Sequence, residues 1–209
     1  MVQFDWQIAE TNEYSRSATP SFVTLTTRSY LTISGVADHR TADSEFQEKA
    51  RAVERLAQKI SEGPDGGIHI DRFKSYRPYP VQAVWSGGET VDDRQAFKIW
   101  LKQPLFVSAA NLKQARDQLD VGPLGPEVQF ENLAEGTEIQ SFSADSLTTD
   151  SQAVETLRQA IADRGLKRLS ETQHREVYLE GPEAGQPVLL RVEIDPNQGQ
   201  IDASNHAYN

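Results

Sequence analysis

Gly122-Pro123-Leu124-Gly125-Pro126 decides how this chain is divided. Two Gly-Pro steps within five residues cannot lie inside a helix or a central strand, because proline lacks an amide donor and its ring clashes with the preceding turn. Working outward from the break, the same order of elements is read on both sides. Before it come a strand over 22–34, a helix over 44–61 and strands over 79–86 and 95–103. After it come a strand over 136–144, a helix over 150–164 and strands over 173–180 and 187–194. A further helix over 108–119 leads into the break. The repeat is one of pattern, with little identity between the halves. The expected fold is therefore α+β: duplicated βαββ units with pseudo-two-fold symmetry, antiparallel sheets with helices on one face, and a central ligand groove. The N-terminal half, with its extension and following helix, spans 1–121 and the C-terminal half 127–194 of one compact domain. The polar tail over 195–209 is expected to be loosely held.

The helices are read from apolar stripes. Phe46, Ala50, Val53, Ala57 and Ile60 recur at helical spacing, and Ser44 with Gln47 has the form of a capping box. Val154, Leu157 and Ile161 make the second stripe, Thr149 and Gln152 can cap it, and Gly165 supplies a left-handed stop. The strands are read from alternation. Phe97, Ile99 and Leu101 point one way; Lys98, Trp100 and Lys102 point the other. Val81–Trp85 is closed by the turn signal Ser86-Gly87-Gly88. The aliphatic face of each sheet is assigned to the helices. The mixed aromatic and polar face is expected to line a groove between the halves.

Composition narrows the function classes. The 209 residues carry 21 Lys+Arg against 31 Asp+Glu, a net charge of −10, and no cysteine. Disulfide frameworks, cysteine nucleophiles, Fe–S clusters and cysteine zinc sites are excluded. The acidic balance argues against a general phosphate-backbone binder, since such contacts need clustered Lys and Arg. No run approaches the ~20 apolar residues of a membrane span. The start, Met1-Val2-Gln3-Phe4-Asp5-Trp6, lacks the basic and apolar regions of a signal peptide, so a cytoplasmic location is expected. The expected state is a monomer or weak homodimer, with no cofactor, no metal and no assigned protein partner.

Candidate chemistry concentrates in Gln173-His174-Arg175-Glu176-Val177-Tyr178-Leu179-Glu180. With Val177 and Leu179 toward the helix, Glu176 and Tyr178 face the groove. A carboxylate beside a phenol can bind a cation, orient a water, or act as acid or base. An ordinary exposed strand face would carry the same residues. Trp85, Trp100, Tyr76 and Tyr79 offer stacking surface for a flat ligand, or plain core packing. His174 beside Glu176 could begin a metal site, but spacing shows no third ligand. The glycine-rich turns match neither a dinucleotide fingerprint nor a P-loop, and no Gly-x-Ser-x-Gly elbow is present.

These residues also carry a family resemblance. Phe4-Asp5-Trp6 with Glu13-Tyr14, Leu31-Thr32-Ile33-Ser34-Gly35 with Glu45-Phe46-Gln47-Glu48-Lys49-Ala50, and Tyr79-Pro80 with Val84-Trp85 resemble the long stand-alone GyrI-like small-molecule-binding proteins. So do Leu101-Lys102-Gln103-Pro104-Leu105-Phe106-Val107 and Leu169-Ser170 through His174-Arg175-Glu176-Val177-Tyr178-Leu179. The resemblance covers roughly residues 2–194. It implies a duplicated βαββ fold whose groove is faced by a glutamate at Glu176, the position from which relatives of multidrug specificity meet lipophilic cations. Some stand-alone members are similar to hydrolases of cyclopropane-bearing alkylating compounds; others are known as binders, gyrase-inhibitory proteins or ligand sensors of transcription activators. Where the family tends to have Gly-Pro-Tyr, this chain reads Ala144-Asp145-Ser146. The expected partner is a hydrophobic aromatic small molecule. Glu176 and Tyr178 are the expected catalytic residues, and Trp85, Trp100, Tyr79, Phe106 and His174 the expected ligand contacts. The expected outcome is detoxifying hydrolysis of a strained electrophile or, alternatively, non-catalytic sequestration or regulatory interaction.

Overall fold

Helix α2 (Ser44–Ser61) forms on its apolar stripe, burying Phe46, Ala50, Val53, Leu56, Ala57 and Ile60. Its cap is one residue earlier than the capping box predicts. The Asp43 carboxylate accepts from the Glu45 amide at 2.8 Å, while the Gln47 side chain donates to the Thr41 and Pro182 carbonyls. Helix α4 (Gln152–Asp163) has Ser151 rather than Thr149 at its N-cap, and Gly165 with φ +61° stops it as expected. Helix α3 (Ala109–Gln118) packs against α2. A short helix α1 (Trp6–Ala9) lies near the N-terminus. The computed structural model describes residues 3–88, 93–145, 147–203 and 206–208; Ser146 of the Ala144-Asp145-Ser146 departure lies outside the described residues.

The first expected strand is in fact two. β1 (Ser21–Leu25) and β2 (Arg28–Ala37) are separated by exposed Thr26 and Thr27. Threonine suits strands, so alternation gives no sign of this break. The two pieces go to opposite halves. β1 pairs antiparallel with β6 (Gly136–Ser143), placing Phe22 opposite Ile139. Reciprocally, β5 (Gln129–Leu133) pairs with β2, placing Phe130 opposite Leu31. With β3 (Val81–Ser86), β4 (Gln95–Gln103), β7 (His174–Val177), β8 (Val188–Glu193) and β9 (His206–Tyr208), they form one sheet in the order β5-β2-β4-β3-β7-β8-β6-β1-β9. The order reads the same from both sides of the central β3–β7 pair as far as β5 and β1, so the pseudo-two-fold axis passes between β3 and β7. Each half lends an edge strand to the other.

The tail corrects a second expectation. After Ile194 the chain returns to the sheet, where β9 (His206–Tyr208) pairs in parallel with β1. On the way the Gln200 amide donates to the Arg164 carbonyl at 2.9 Å. Polar composition hid this because an edge strand needs backbone hydrogen bonds more than apolar side chains.

Directly paired residues share a face of the sheet. By register, Ile33, Ile99, Ala83, Glu176, Leu190 and Ile139 belong to the face covered by α2 and α4. Gly35 lies on this face, where a Cβ would come within 2.5 Å of the Phe97 ring and 2.6 Å of the Glu45 carboxylate. Its missing side chain lets the ring and the start of α2 close together.

Tyr30, Trp100, Lys102, Gln82, Arg175, Arg191 and Glu138 belong to the opposite face. That face is mixed in character, as expected, but it is covered around Tyr30, Lys102, Arg175 and Arg191, while Ser34, Val36 and Ala96 are exposed. The N-terminal segment and Glu135 cover it. Glu13 pairs with Arg28 at 2.8 Å and Lys102 at 3.2 Å, and Lys102 also reaches Glu10 at 2.9 Å. Arg191 pairs with Glu135 at 3.0 Å and donates to the Glu13 carbonyl at 2.5 Å. Arg175 donates to Glu138 at 2.9 Å, and the Tyr30 hydroxyl donates to Glu135 at 2.5 Å. Four carboxylates meet four cations. Buried charges persist when paired and hydrogen-bonded in this way. Burial would raise the Glu135 carboxyl, but Arg175 and Arg191 hold it down at about 2. The helix-free face therefore fastens the N-terminal segment instead of lining an open groove.

Candidate functional site

Since α2 covers β2 and β4, and α4 covers β6 and β8, the sheet between the helices is the central β3–β7 pair. β7 brings His174 and Glu176 to this cleft. The sequence reading placed them on the opposite face, because Val177 and Leu179 look like a core stripe. Val177 is indeed buried, but beneath the N-terminal segment's side of the sheet, opposite Gln82 and Leu189. Both faces of β7 are covered, so apolarity could not identify which one meets the helices.

Glu176 is fully buried, with four neighbours arranged around its carboxylate. Oε1 accepts from His174 Nε2 at 2.8 Å and from Arg40 Nη2. Oε2 accepts from the Tyr178 hydroxyl at 3.0 Å. That hydroxyl in turn accepts from Trp85 Nε1 at 2.9 Å. Phe46 of α2 closes over the group, with ring centroids 5.1 Å from Trp85 and 5.8 Å from Tyr178. Arg40 enters from the short 3-10 turn Arg40–Ala42 between β2 and α2. Its backbone is left-handed, φ +49°, a conformation that costs a non-glycine residue roughly 1 kcal/mol. Its guanidinium also donates to the Leu147 carbonyl, in the connection before α4, and lies 5.9 Å over the Trp85 ring. One side chain thus ties the two halves together across the cleft.

Space lies on both sides of this cluster. On the His174 side, a cavity of about 250 Å³ is walled by Val154, Leu157 and Ile161 of α4 with Leu190 and Val192. On the Tyr178 side, a groove of about 660 Å³ runs along Glu54 and Gln58 of α2 past Val81 and Leu179. Glu176 stands between the two, hydrogen-bonded to a wall residue of each.

Burial among rings raises the Glu176 carboxyl, but the Arg40 guanidinium and His174 outweigh it and hold the group below the ordinary carboxylate range. Burial and the adjacent Glu176 charge push the Tyr178 phenol well above its usual value. The resting cluster is a carboxylate with a neutral phenol donor. It can orient a water or a polar ligand atom, and it can stabilise developing negative charge through the phenol.

The structure brings Glu176, Tyr178, Trp85 and His174 together, separates Trp100 and Phe106 from them, and sets Tyr79 on the groove that Tyr178 also lines. Trp100 is on the opposite face, under the Arg175 guanidinium at 4.3 Å and against Tyr30 at 5.1 Å. The cause is alternation: Trp100 pairs with Gln82, whereas Trp85 pairs with Phe97. Phe106 packs with Phe73 and Tyr76 at a separate cleft of about 450 Å³ that also includes Tyr79, Phe4 and Lys102. Tyr79 also borders the groove beside α2. Arg40 and the Leu147 carbonyl were missed by sequence reading. Arg40 sits in a loop without periodicity, and only its φ and burial mark it. Among the described residues no group of three or more His, Asp or Glu is placed to hold a metal ion, and no helix is long and apolar enough to cross a membrane.

No protein-family model matches the chain, and no curated protein matches it in sequence. Solved structures do match. A hydrolase from Listeria innocua is similar over 93% of this chain and all of its own, with a TM-score of 0.80 and 19% identity. An uncharacterized conserved protein from Listeria innocua matches over 92% of this chain and all of its own, with a TM-score of 0.77 and 20% identity. The C-terminal domain of EcmrR matches over 84% of this chain and 96% of its own, with a TM-score of 0.53 and 11% identity. At such identities the likeness is one of fold alone, the paired βαββ units of a single sheet.

Proposed function

We propose that this protein captures hydrophobic, planar small molecules in the cleft between α2 and α4, against Glu176, Tyr178, Trp85 and His174. The observation that carries this reading is the buried hydrogen-bonded chain from His174 through Glu176 and Tyr178 to Trp85, set between two cavities. One relative in fold is a hydrolase, which keeps a catalytic outcome in view.

Two outcomes fit the cleft. In the first, Glu176 takes a proton from a water that attacks a cyclopropane carbon; the strained C–C bond breaks, its electron pair moves to the oxygen of a carbonyl conjugated with the ring, and the Tyr178 phenol stabilises that oxyanion until it is protonated. In the second, the ligand is held without turnover. The Arg40–Glu176 pair favours this second outcome, because a carboxylate already engaged and held low is a weak proton acceptor. The test is to incubate catalytic and stoichiometric amounts of protein with a cyclopropane-fused electrophile and measure its consumption by chromatography. Hydrolysis implies many equivalents consumed and sharp loss in Glu176→Gln and Tyr178→Phe. Sequestration implies no more than one equivalent removed. If parent protein and both variants show neither consumption nor binding, the small-molecule reading fails.

A further inference from the structure

Arg40 places a planar cation where a planar cationic ligand would sit. Its guanidinium pairs with the fully buried Glu176 carboxylate, lies over the Trp85 ring and is fixed at its other end by the Leu147 carbonyl. The left-handed backbone at Arg40 is held against its intrinsic preference, which implies that the surrounding contacts over-determine it. A carboxylate beside aromatic faces is the standard recognition element for an organic cation. Here that element is already satisfied from within the chain.

We propose that Arg40 is the residue that sets the charge class of the ligand: as a tethered cation neutralising Glu176, it makes the cleft select uncharged planar molecules and reject lipophilic cations. The inference rests on the proposed ligand cleft between α2 and α4. A cation entering from either cavity finds the Glu176 charge already neutralised, and to pair with it must displace Arg40 from Oε1 or the Tyr178 hydroxyl from Oε2. Displacement breaks charge-assisted hydrogen bonds and strands the guanidinium of a side chain that is almost fully buried. A neutral ring displaces nothing. It uses the apolar walls of Val154, Leu157 and Ile161 on one side or those of Val81 and Leu179 on the other. The arginine, not the glutamate, then decides which compounds this cleft holds.

The test compares phenanthridine with N-methylphenanthridinium, two probes of nearly one shape that differ in charge at pH 7.5. Binding is measured by calorimetry to the parent, Arg40→Met, Arg40→Lys and the Arg40→Met/Glu176→Gln double variant. The parent should bind phenanthridine in preference to the cation. Arg40→Met should gain about 10–100-fold for the cation, in line with release of one charge-assisted interaction. Arg40→Lys should keep the parent's preference, and the double variant should lose the gain. If the parent binds phenanthridine but Arg40→Met, folded by near-ultraviolet circular dichroism, gains less than threefold for the cation, the role of Arg40 is overturned while the ligand cleft stands. If neither probe binds any of the four proteins, the cleft itself is refuted. Should Arg40→Met fail to fold, the parent still decides: tighter binding of the cation than of the neutral ring overturns the proposal.

Discussion

Breaking the Arg40–Glu176 pair should cost more than almost any other single change in this chain. The two residues are 7% and 0% exposed, so removing either leaves a charge without solvent and without its counter-ion. Such breaks cost about 3–5 kcal/mol. For a chain of this size each kcal/mol lowers Tm by roughly 2–4 °C, which gives a fall of about 6–20 °C for Arg40→Met or Glu176→Gln. The double variant replaces two charges by uncharged groups of similar length and should be less destabilised than the sum of the singles, by about 2 kcal/mol. Urea unfolding of the four proteins at pH 7 gives this coupling directly. The pH dependence has a fixed sign. Because the Glu176 carboxyl is held below its ordinary value in the fold, its contribution is present above the unfolded value of about 4.3 and is lost as pH falls through the folded value. Parent and Glu176→Gln should therefore draw together in stability as pH falls below the unfolded value. A coupling under about 0.5 kcal/mol, with all four proteins folded, would refute the argument that the pair is a closed, desolvated unit.

Three further outcomes follow from other parts of the structure. Glu54 on α2 is raised to about 7 by burial and by Glu183 across from it, so the fold should lose stability as pH rises from about 4.5 through 7. Glu54→Gln should remove that loss, adding roughly 1–2 kcal/mol at pH 8 after solvent screening, and pH-resolved thermal melts check it. Arg191→Met breaks the bonds to Glu135, Gln140 and the Glu13 carbonyl, so it should cost about 3–5 kcal/mol and raise protease cleavage within residues 3–16. Unchanged cleavage there would contradict a fastened N-terminal segment. Gly35→Ala forces a methyl to within 2.5 Å of the Phe97 ring and should cost about 1–3 kcal/mol in urea unfolding, against a negligible effect for a substitution at an open loop position.

The helices and the repeated pattern were legible because stripes such as Phe46-Ala50-Val53-Ala57 report a single buried face. The exchange of edge strands was not, since Thr26 and Thr27 suit a strand as well as a reversal and nothing local says which half β1 joins. At the candidate site, the sequence singled out Glu176, Tyr178, Trp85 and His174, which do meet. It erred on the face because β7 is buried on both sides, and alternation assigns two faces without saying which is which. The charges that cover part of the helix-free face were hidden for another reason. Glu10, Glu13 and Glu135 read as ordinary solvated residues, and only long-range pairing with Lys102, Arg175 and Arg191 explains their burial. Arg40 carries the most function per residue in this account and the least local signal, because its role depends on a backbone angle and two partners more than 100 positions away.

The central claim is that ligand enters the helix-covered cleft. The three tryptophans report this when the protein is labelled with 5-fluorotryptophan and titrated with phenanthridine by ¹⁹F NMR, each resonance being assigned through its Trp→Phe variant. Trp85, hydrogen-bonded to Tyr178 at the cluster, should shift saturably, while Trp100 on the opposite, helix-free face stays fixed. A saturable shift at Trp100 with Trp85 unmoved would contradict the account.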